Sequence, residues 1–307
     1  MTDVIEVAGL IKRFGSVTAL DGLDLTVADG EVAGFLGPNG AGKSTTIRIL
    51  LGLFRRDGGR AAVFGADPFT DAVAIHSRLA YVPGDVDLWP QLTGGECIDV
   101  LLRLRGIDPA TSAKAELVER FELDPTKRSS TYSKGNRQKV ALIAAFAAPT
   151  DLLVFDEPTS GLDPLMARHF GDCTRAAAAR GTSVLLSSHI LSEVEELCDS
   201  LTIIRAGRTV QSGTLDDLRH LRRSRVQATV TGAGADAVAG IDGVDDFTAT
   251  PGADGSVDLS FTVTPDGLNA VTGVLGGLTV DSLLVQPPSL EELFLHAYDD
   301  APAGTER

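Results

Sequence analysis

Gly37-Pro38-Asn39-Gly40-Ala41-Gly42-Lys43-Ser44-Thr45 carries the densest chemistry in this chain of 307 residues. The run fills every fixed position of the spacing GxxxxGK[ST], and each position has a local physical reason. Gly37, Gly40 and Gly42 allow turns that a Cβ would obstruct, so successive backbone N–H groups can aim at phosphate oxygens. A helix opening near Lys43 adds the positive end of its dipole. Lys43 supplies a point charge for the β- and γ-phosphates, and the Ser44 hydroxyl is a hard oxygen ligand suited to Mg2+. The flanks predict the required setting, with residues 31–36 reading as a buried strand and residues 46–51 as a helix. Such a site binds a nucleotide.

A second constellation lies more than a hundred positions downstream. Leu152-Leu-Val-Phe-Asp156-Glu157 is a short apolar run that ends in two carboxylates, as a central parallel strand does when its C-terminal end faces a ligand. Asp156 is placed to hold Mg2+ through its water shell. Glu157 points elsewhere and is placed to accept a proton from an attacking water, the general-base role that nucleotide hydrolysis needs.

Between and around these two runs are four more segments: Lys12-Arg13-Phe14-Gly15, Tyr132-Ser133-Lys134-Gly135-Asn136, Ser160-Gly-Leu-Asp163 and Ser187-Ser-His189. In this order they resemble the ATP-binding cassette family over residues 3 to about 215. The resemblance implies an α/β phosphate-loop ATPase domain with a parallel core sheet, an antiparallel β subdomain and a helical subdomain. It also implies roles. Phe14 would stack on adenine, for which its flat ring face is suited. Ser133 and Gly135 belong to the segment resembling the family signature, and Asp163 to the D-loop. His189 resembles the switch histidine at the γ-phosphate. Two copies would pair head to tail, with ATP and Mg2+ held between Lys43, Ser44, Asp156 and Glu157 of one copy and Ser133 and Gly135 of the other, driving a transmembrane permease subunit.

Two departures from the family pattern bear on catalysis. Where the family carries a glutamine after an apolar strand, this chain reads Leu79-Ala-Tyr-Val-Pro83-Gly84-Asp85, and Gly84 has no side chain to reach a metal. Either Asp85 supplies that oxygen or water fills its place. The signature segment also carries Tyr132, Lys134 and Asn136 in place of Leu, Gly and Gln. These changes motivate an alternative in which ATP only clamps a dimer and hydrolysis is weak. An importer subunit is the other alternative. Trp89, the single tryptophan, falls in an expected loop beside these residues, where it either anchors an interface or packs into the helical subdomain.

The composition sets the surroundings. At 43% hydrophobic residues, the chain can bury a sizeable core, and its length predicts one large domain, residues 1–220, with a small α/β domain, residues 221–307. Its longest apolar stretch, residues 140–148, falls short of the roughly 20 residues that cross a bilayer. The start lacks a basic region followed by an apolar core, so no secretory signal is expected. Together with the resemblance, these features imply a place at the cytoplasmic face of the plasma membrane, touching the membrane only through the permease. A formal net charge of −15 disfavours binding to nucleic acid. Cys97, Cys173 and Cys198 are too scattered for metal-ligand spacing and read as small core residues.

Short strands are expected within residues 3–65. Helices are expected at 92–105, 111–121, after Gly135, at 165–180 and at 190–198. A composition shift at the basic run 218–225 marks the boundary, and that run reads as a solvated helix face. Beyond it, residues 226–230, 256–263 and 280–285 alternate as half-buried strands, and 266–275 reads as a helix. Ser289-Leu-Glu-Glu292 forms a capping box for a last helix. The ending Pro288-Ser-Leu-Glu-Glu-Leu-Phe294 resembles the C-terminal extension of drug-exporter and antibiotic-resistance cassette subunits.

Overall fold

The computed structural model describes residues 3–215, 217, 223–232, 234–252 and 255–286. The chain divides into two compact units, Met1–Gly213 and Thr214–Arg307.

The first unit is built on a sheet of six strands in the order β5-β6-β7-β3-β8-β9. These are β3 (Val32–Leu36), β5 (Leu79–Val82), β6 (Leu152–Asp156), β7 (Ser183–Ser188), β8 (Ser200–Arg205) and β9 (Arg208–Thr214). The pairs β5–β6, β6–β7, β7–β3 and β3–β8 are parallel. Every residue of β3, β6 and β7 is buried. That accounts for their near-continuous apolar sequences, because parallel strands covered on both faces have no solvent side. The turn between β8 and β9 places Ala206 and Gly207 at φ values of 47° and 74°, the left-handed pair that a two-residue hairpin requires.

A separate antiparallel sheet, in the order β2-β1-β4, holds β1 (Asp3–Phe14), β2 (Val17–Ala28) and β4 (Gly58–Val63). The sequence pattern here suggests short strands, yet β1 and β2 run for 12 residues each. Register shifts between Val7 and Leu10 and again between Lys12 and Arg13 break the alternation, so one bulged strand reads as several.

Helices α1 (Lys43–Leu50), α2 (Ala72–His76), α3 (Gly94–Leu104), α4 (Lys114–Arg120), α5 (Lys134–Phe146), α6 (Pro164–Ala178) and α7 (Leu191–Leu197) complete this unit. Capping chemistry sets several starts. Thr93 accepts from the Glu96 N–H at 3.2 Å while Glu96 accepts from the Thr93 N–H at 2.7 Å, a reciprocal box at α3. That backbone bond holds the Glu96 carboxyl below its usual range. Ser133 accepts from Asn136 N–H at 3.3 Å and opens α5, and Asp163 accepts from Met166 N–H at 3.0 Å, with Pro164 as first helical residue, and opens α6. Phe146, Phe155 and Phe170 pack as a tilted and edge-on trio at centroid distances of 5.1–6.1 Å, joining α5 and α6 to the sheet. The three cysteines are free and buried.

The second unit is a four-stranded antiparallel sheet in the order β11-β12-β10-β13. Its strands are β10 (Ser224–Thr231), β11 (Val244–Pro251), β12 (Val257–Val263) and β13 (Thr279–Gln286), with α8 (Pro265–Leu275) on one face. This order is that of a split β-α-β unit whose first crossover has shrunk to a 3-10 turn, Ala235–Gly240. Val226, Val230, Phe261, Val263 and Val271 form its core, each at most 1% exposed. Strand β11 has no counterpart in the sequence pattern, because Asp246 takes a left-handed φ of 54° and the register slips between Asp245 and Thr248, erasing its period of two. The expected capping box at 289–292 and the ending at 288–294 lie outside the described residues, as does most of the basic run 218–225.

Candidate functional site

The glycine-rich loop leaves β3 and enters α1, as its spacing requires. Gly42 takes a φ of 114° and backs onto Ala19, Leu20 and Gly207, so a side chain there would meet both strain and obstruction. Gly37 lies so close to β8 that a Cβ would come within 2.6 Å of the Ile204 carbonyl oxygen. The loop is thus wedged between β2 and β8, and Lys43 emerges at the first turn of α1 with its side chain buried, 5% exposed. Its ammonium donates to the carbonyls of Gly37 at 2.6 Å and Pro38 at 3.1 Å. Burial lowers the Lys43 pKa, an effect partly offset by the carboxylates of Glu157 and Asp156.

Strands β6 and β7 run parallel in a register that sets Asp156 beside Ser187. Asp156 is 6% exposed and accepts from the Ser187 hydroxyl at 3.0 Å. Burial and the Asp156 charge push the Tyr81 phenol up to about 12. The chain then turns abruptly. Glu157 adopts a left-handed φ of 52° while its N–H donates to the Ser187 carbonyl at 2.9 Å. A non-glycine residue in that conformation costs roughly 1–3 kcal/mol, a strain found where a side chain must be aimed. Here the Glu157 carboxylate lies 3.6 Å from Lys43 Nζ through one oxygen and 3.3 Å from His189 Nδ1 through the other. One carboxylate therefore bridges the loop lysine and the strand-end histidine.

Lys43, Asp156, Glu157 and His189 accordingly come together at the C-terminal ends of β3, β6 and β7, with Ser44 and Thr45 in the adjoining first turn of α1. A hollow of about 810 Å³, lined in part by Asp3, Glu6, Arg78, Asp151 and Arg180, lies at the opposite ends of the strands. Ligands of parallel α/β sheets bind at the C-terminal ends, which makes the charged cluster the candidate functional site.

Ser133, Gly135 and Asp163 form a second group. Ser133 and Asp163 cap α5 and α6. Gly135 abuts the Gly161 carbonyl so closely that a Cβ would overlap it. Lys134 donates to the Ser160 hydroxyl at 2.8 Å, which ties the signature segment to the Ser160–Asp163 turn. A hydrogen bond from Met166 N–H holds the Asp163 carboxyl below its usual range.

Phe14 ends β1, 44% exposed, with its ring edge-on to Phe54 at 5.4 Å and the Lys12 ammonium 5.2 Å from its centroid. Asp85 is exposed. Its neighbour Gly84 lies against the strand end, where a Cβ would stand 2.9 Å from the Asp156 carbonyl oxygen. Trp89 is 43% exposed. In the sequence Ser187 stands out only as the start of the segment that ends in His189. Its role comes from parallel register, which no local spacing announces.

The donors fit a hard divalent ion. Among the described residues no group of three or more His, Cys, Asp and Glu side chains converges on a metal. A Mg2+ here would draw instead on the Ser44 hydroxyl, the buried Asp156 carboxylate and phosphate oxygens, an oxygen set with few protein ligands.

Comparison with known proteins agrees with this geometry. A family model described as "ABC transporter" matches residues 20–160. The daunorubicin resistance ATP-binding protein DrrA3 of Streptomyces coeruleorubidus is 36% identical over 310 residues, covering 96% of each chain. A solved ATP-binding subunit of an ABC transporter superposes with a TM-score of 0.66 at 32% identity, covering 71% of this chain and 92% of that one. The dimeric structure of MJ0796, a bacterial ABC transporter cassette, has the same fold at 20% identity, with a TM-score of 0.62, covering 69% of this chain and 98% of that one. With a phosphate loop, a strand-end acid pair and a histidine assembled as described, and a relative matched along nearly its whole length, the chain belongs to the ATP-binding cassette transporter family, among its ATP-hydrolysing subunits.

Proposed function

We propose that this chain powers the export of antibiotics or other hydrophobic compounds through a separate transmembrane permease, at the cytoplasmic face of the plasma membrane. The observation that carries this reading is the alignment with a relative named for daunorubicin resistance over 96% of both chains, which includes the second unit as well as the cassette. Among the described residues no helix is long and apolar enough to cross a membrane. That suits a subunit that works on a partner's membrane-spanning part. We read residues 1–220 as the ATP-binding domain and 221–307 as an accessory domain.

In this reading the residues divide the labour. The loop from Gly37 to Gly42 and the first turn of α1 present N–H groups to the phosphates, and Phe14 offers a ring face to adenine. Lys43 exchanges its Gly37 and Pro38 carbonyl partners for phosphate oxygens. Mg2+, when bound, supplies positive charge that offsets the charge developing on the phosphates. Ser44 and Asp156 would hold it, with Asp85 or water at the remaining place. Glu157, released from Lys43 and His189, accepts a proton from the attacking water. His189 then contacts the γ-phosphate. Ser133 and Gly135 belong to a group apart from Lys43 and Glu157, which supports their serving the nucleotide of a second copy in a head-to-tail dimer.

Proteoliposomes holding the chain with its membrane partner test the export reading. ATP-dependent movement of an anthracycline out of the leaflet that faces the cassette supports it. Movement toward the cassette side, or ATP turnover that no hydrophobic compound stimulates, overturns it.

A further inference from the structure

Gly84, in the loop after β5, has no side chain to fix the loop, yet the loop is fastened by other means. Gly84 lies with its bare backbone against the Asp156 carbonyl oxygen, an approach that any Cβ would block at 2.9 Å. Both ends of residues 83–86 are held by consecutive residues of α5. Gln138, fully buried, donates from Nε2 to the Pro83 carbonyl at 3.3 Å. Arg137 donates from Nε to the Val86 carbonyl at 3.2 Å. A second guanidinium nitrogen of Arg137 donates to the Tyr132 carbonyl at 2.9 Å, immediately before Ser133. Arg137 therefore spans the loop and the signature segment with one rigid planar group, a geometry that its fixed fork of donors permits and a lysine ammonium does not reproduce.

One further atom sets this place apart. Gln138 Oε1 is buried and, among the described residues, has no hydrogen-bond partner. A buried acceptor without a donor is costly, and few are retained in native interiors without a reason. It stands on the amide whose nitrogen already holds the loop.

We infer that Arg137 and Gln138 are positioning residues that clamp the 83–86 loop to the signature end of α5, so that the loop bearing Asp85 and the turn bearing Ser133 shift as one body. The clamp takes over, through backbone carbonyls, a connection that Gly84 cannot make with a side chain. It rests on the reading that Ser133 and Gly135 meet ATP, but only for its effect on turnover. The loop attachment itself is measurable in the nucleotide-free chain.

The test uses the full-length chain carrying Arg137→Met, Gln138→Leu or Arg137→Lys. Gln138→Leu keeps a side chain of similar size and leaves the partly buried Pro83 carbonyl without its donor, so far-UV circular dichroism first confirms that the variant is folded. Amide hydrogen exchange over residues 83–86 is expected to quicken about tenfold or more in Arg137→Met and Gln138→Leu, because opening frees held backbone. Fluorescent-ATP titration is expected to give dissociation constants within about twofold of the wild type, since Lys43 and its loop are untouched, while kcat falls about tenfold. Arg137→Lys should fall between, its ammonium serving one carbonyl well and the other poorly. Unchanged exchange overturns the clamp. Quickened exchange with unchanged kcat shows that the clamp does not couple to catalysis and overturns the positioning role. ATP affinity falling in step with kcat marks general damage and overturns it as well. If ATP fails to drive dimerisation of the wild type while the exchange result holds, the trans reading of Ser133 fails and the attachment stands.

Discussion

The two units of this chain are both α/β and both well packed, but they treat polar groups in opposite ways. The first buries Lys43, Asp156, Gln138 and Lys139, each at most 9% exposed, together with several hydroxyls. Among the described residues of the second, the one buried polar side chain is Ser256 at 9%. Burying charge is expensive unless a partner or ligand compensates it. The first unit therefore gives up stability to hold reactive groups at strand ends. The second keeps an ordinary apolar core between its sheet and α8. The contrast supports the proposal that the chemistry lies in the first unit and that the second has a structural or regulatory part.

If that division holds, the units respond differently to damage. Phe261, 1% exposed in the second core and 6.0 Å from Phe247, is expected on replacement by Ala to cost about 3–5 kcal/mol in that unit. ATP affinity should change less than about twofold, as expected if the two units are energetically independent. A matching loss of ATP binding, measured by fluorescent-nucleotide titration, would show that the units are not energetically separate.

Glu157→Gln probes the other side. The amide keeps the size and loses the base, so hydrolysis is expected to fall on the order of 10²-fold or more while ATP binding persists. Closed ATP-bound dimers should accumulate, detectable by gel filtration in ATP. Turnover at the wild-type rate sinks the general-base role.

Asp85 divides the first unit more finely. Asp85→Ala is expected to raise the Mg2+ requirement for hydrolysis about tenfold, in the range of groups that hold a metal or its water, whereas Asp87→Ala, with the same loss of charge, leaves it unchanged. Equal, small effects in both leave water in that place.

The smallest effect is a pH slope. Burial depresses the Lys43 pKa. Between that lowered value and the ordinary lysine range the unfolded chain binds a proton that the folded chain does not, so stability rises with pH there. The cost of burying the charged amine is fully present below the lowered pKa. Urea midpoints of the wild type should therefore climb relative to Lys43→Met as the pH approaches the ordinary lysine value of about 10.4 from below, and parallel curves would refute the assignment.

Much of the site was legible in order along the chain. The glycine loop and the strand ending in Asp156 and Glu157 are local devices whose spacing mirrors their geometry. Lys43, Glu157 and His189 differ in this respect. They lie at the start of α1 and just past the ends of β6 and β7, far apart in sequence, so no local spacing announces that one carboxylate bridges the other two at 3.6 and 3.3 Å. The long bulged strands β1 and β2 and the slipped strand β11 escaped a reading by periodicity, because a bulge changes which face each side chain takes.

Read alone, the order of residues was enough to say which of them can cradle phosphates, which acids end a buried strand, and which family this succession of segments resembles. Backbone reach, caps and apolar runs depend on neighbours a few residues away, so they are written locally. It took the folded chain to show that Ser187 holds Asp156, that Gly84 lies against the Asp156 carbonyl, and that Arg137 and Gln138 grip the 83–86 loop. Those contacts arise from parallel register and from helix packing on the sheet. Both are set by burial of the whole core rather than by any short segment of the chain.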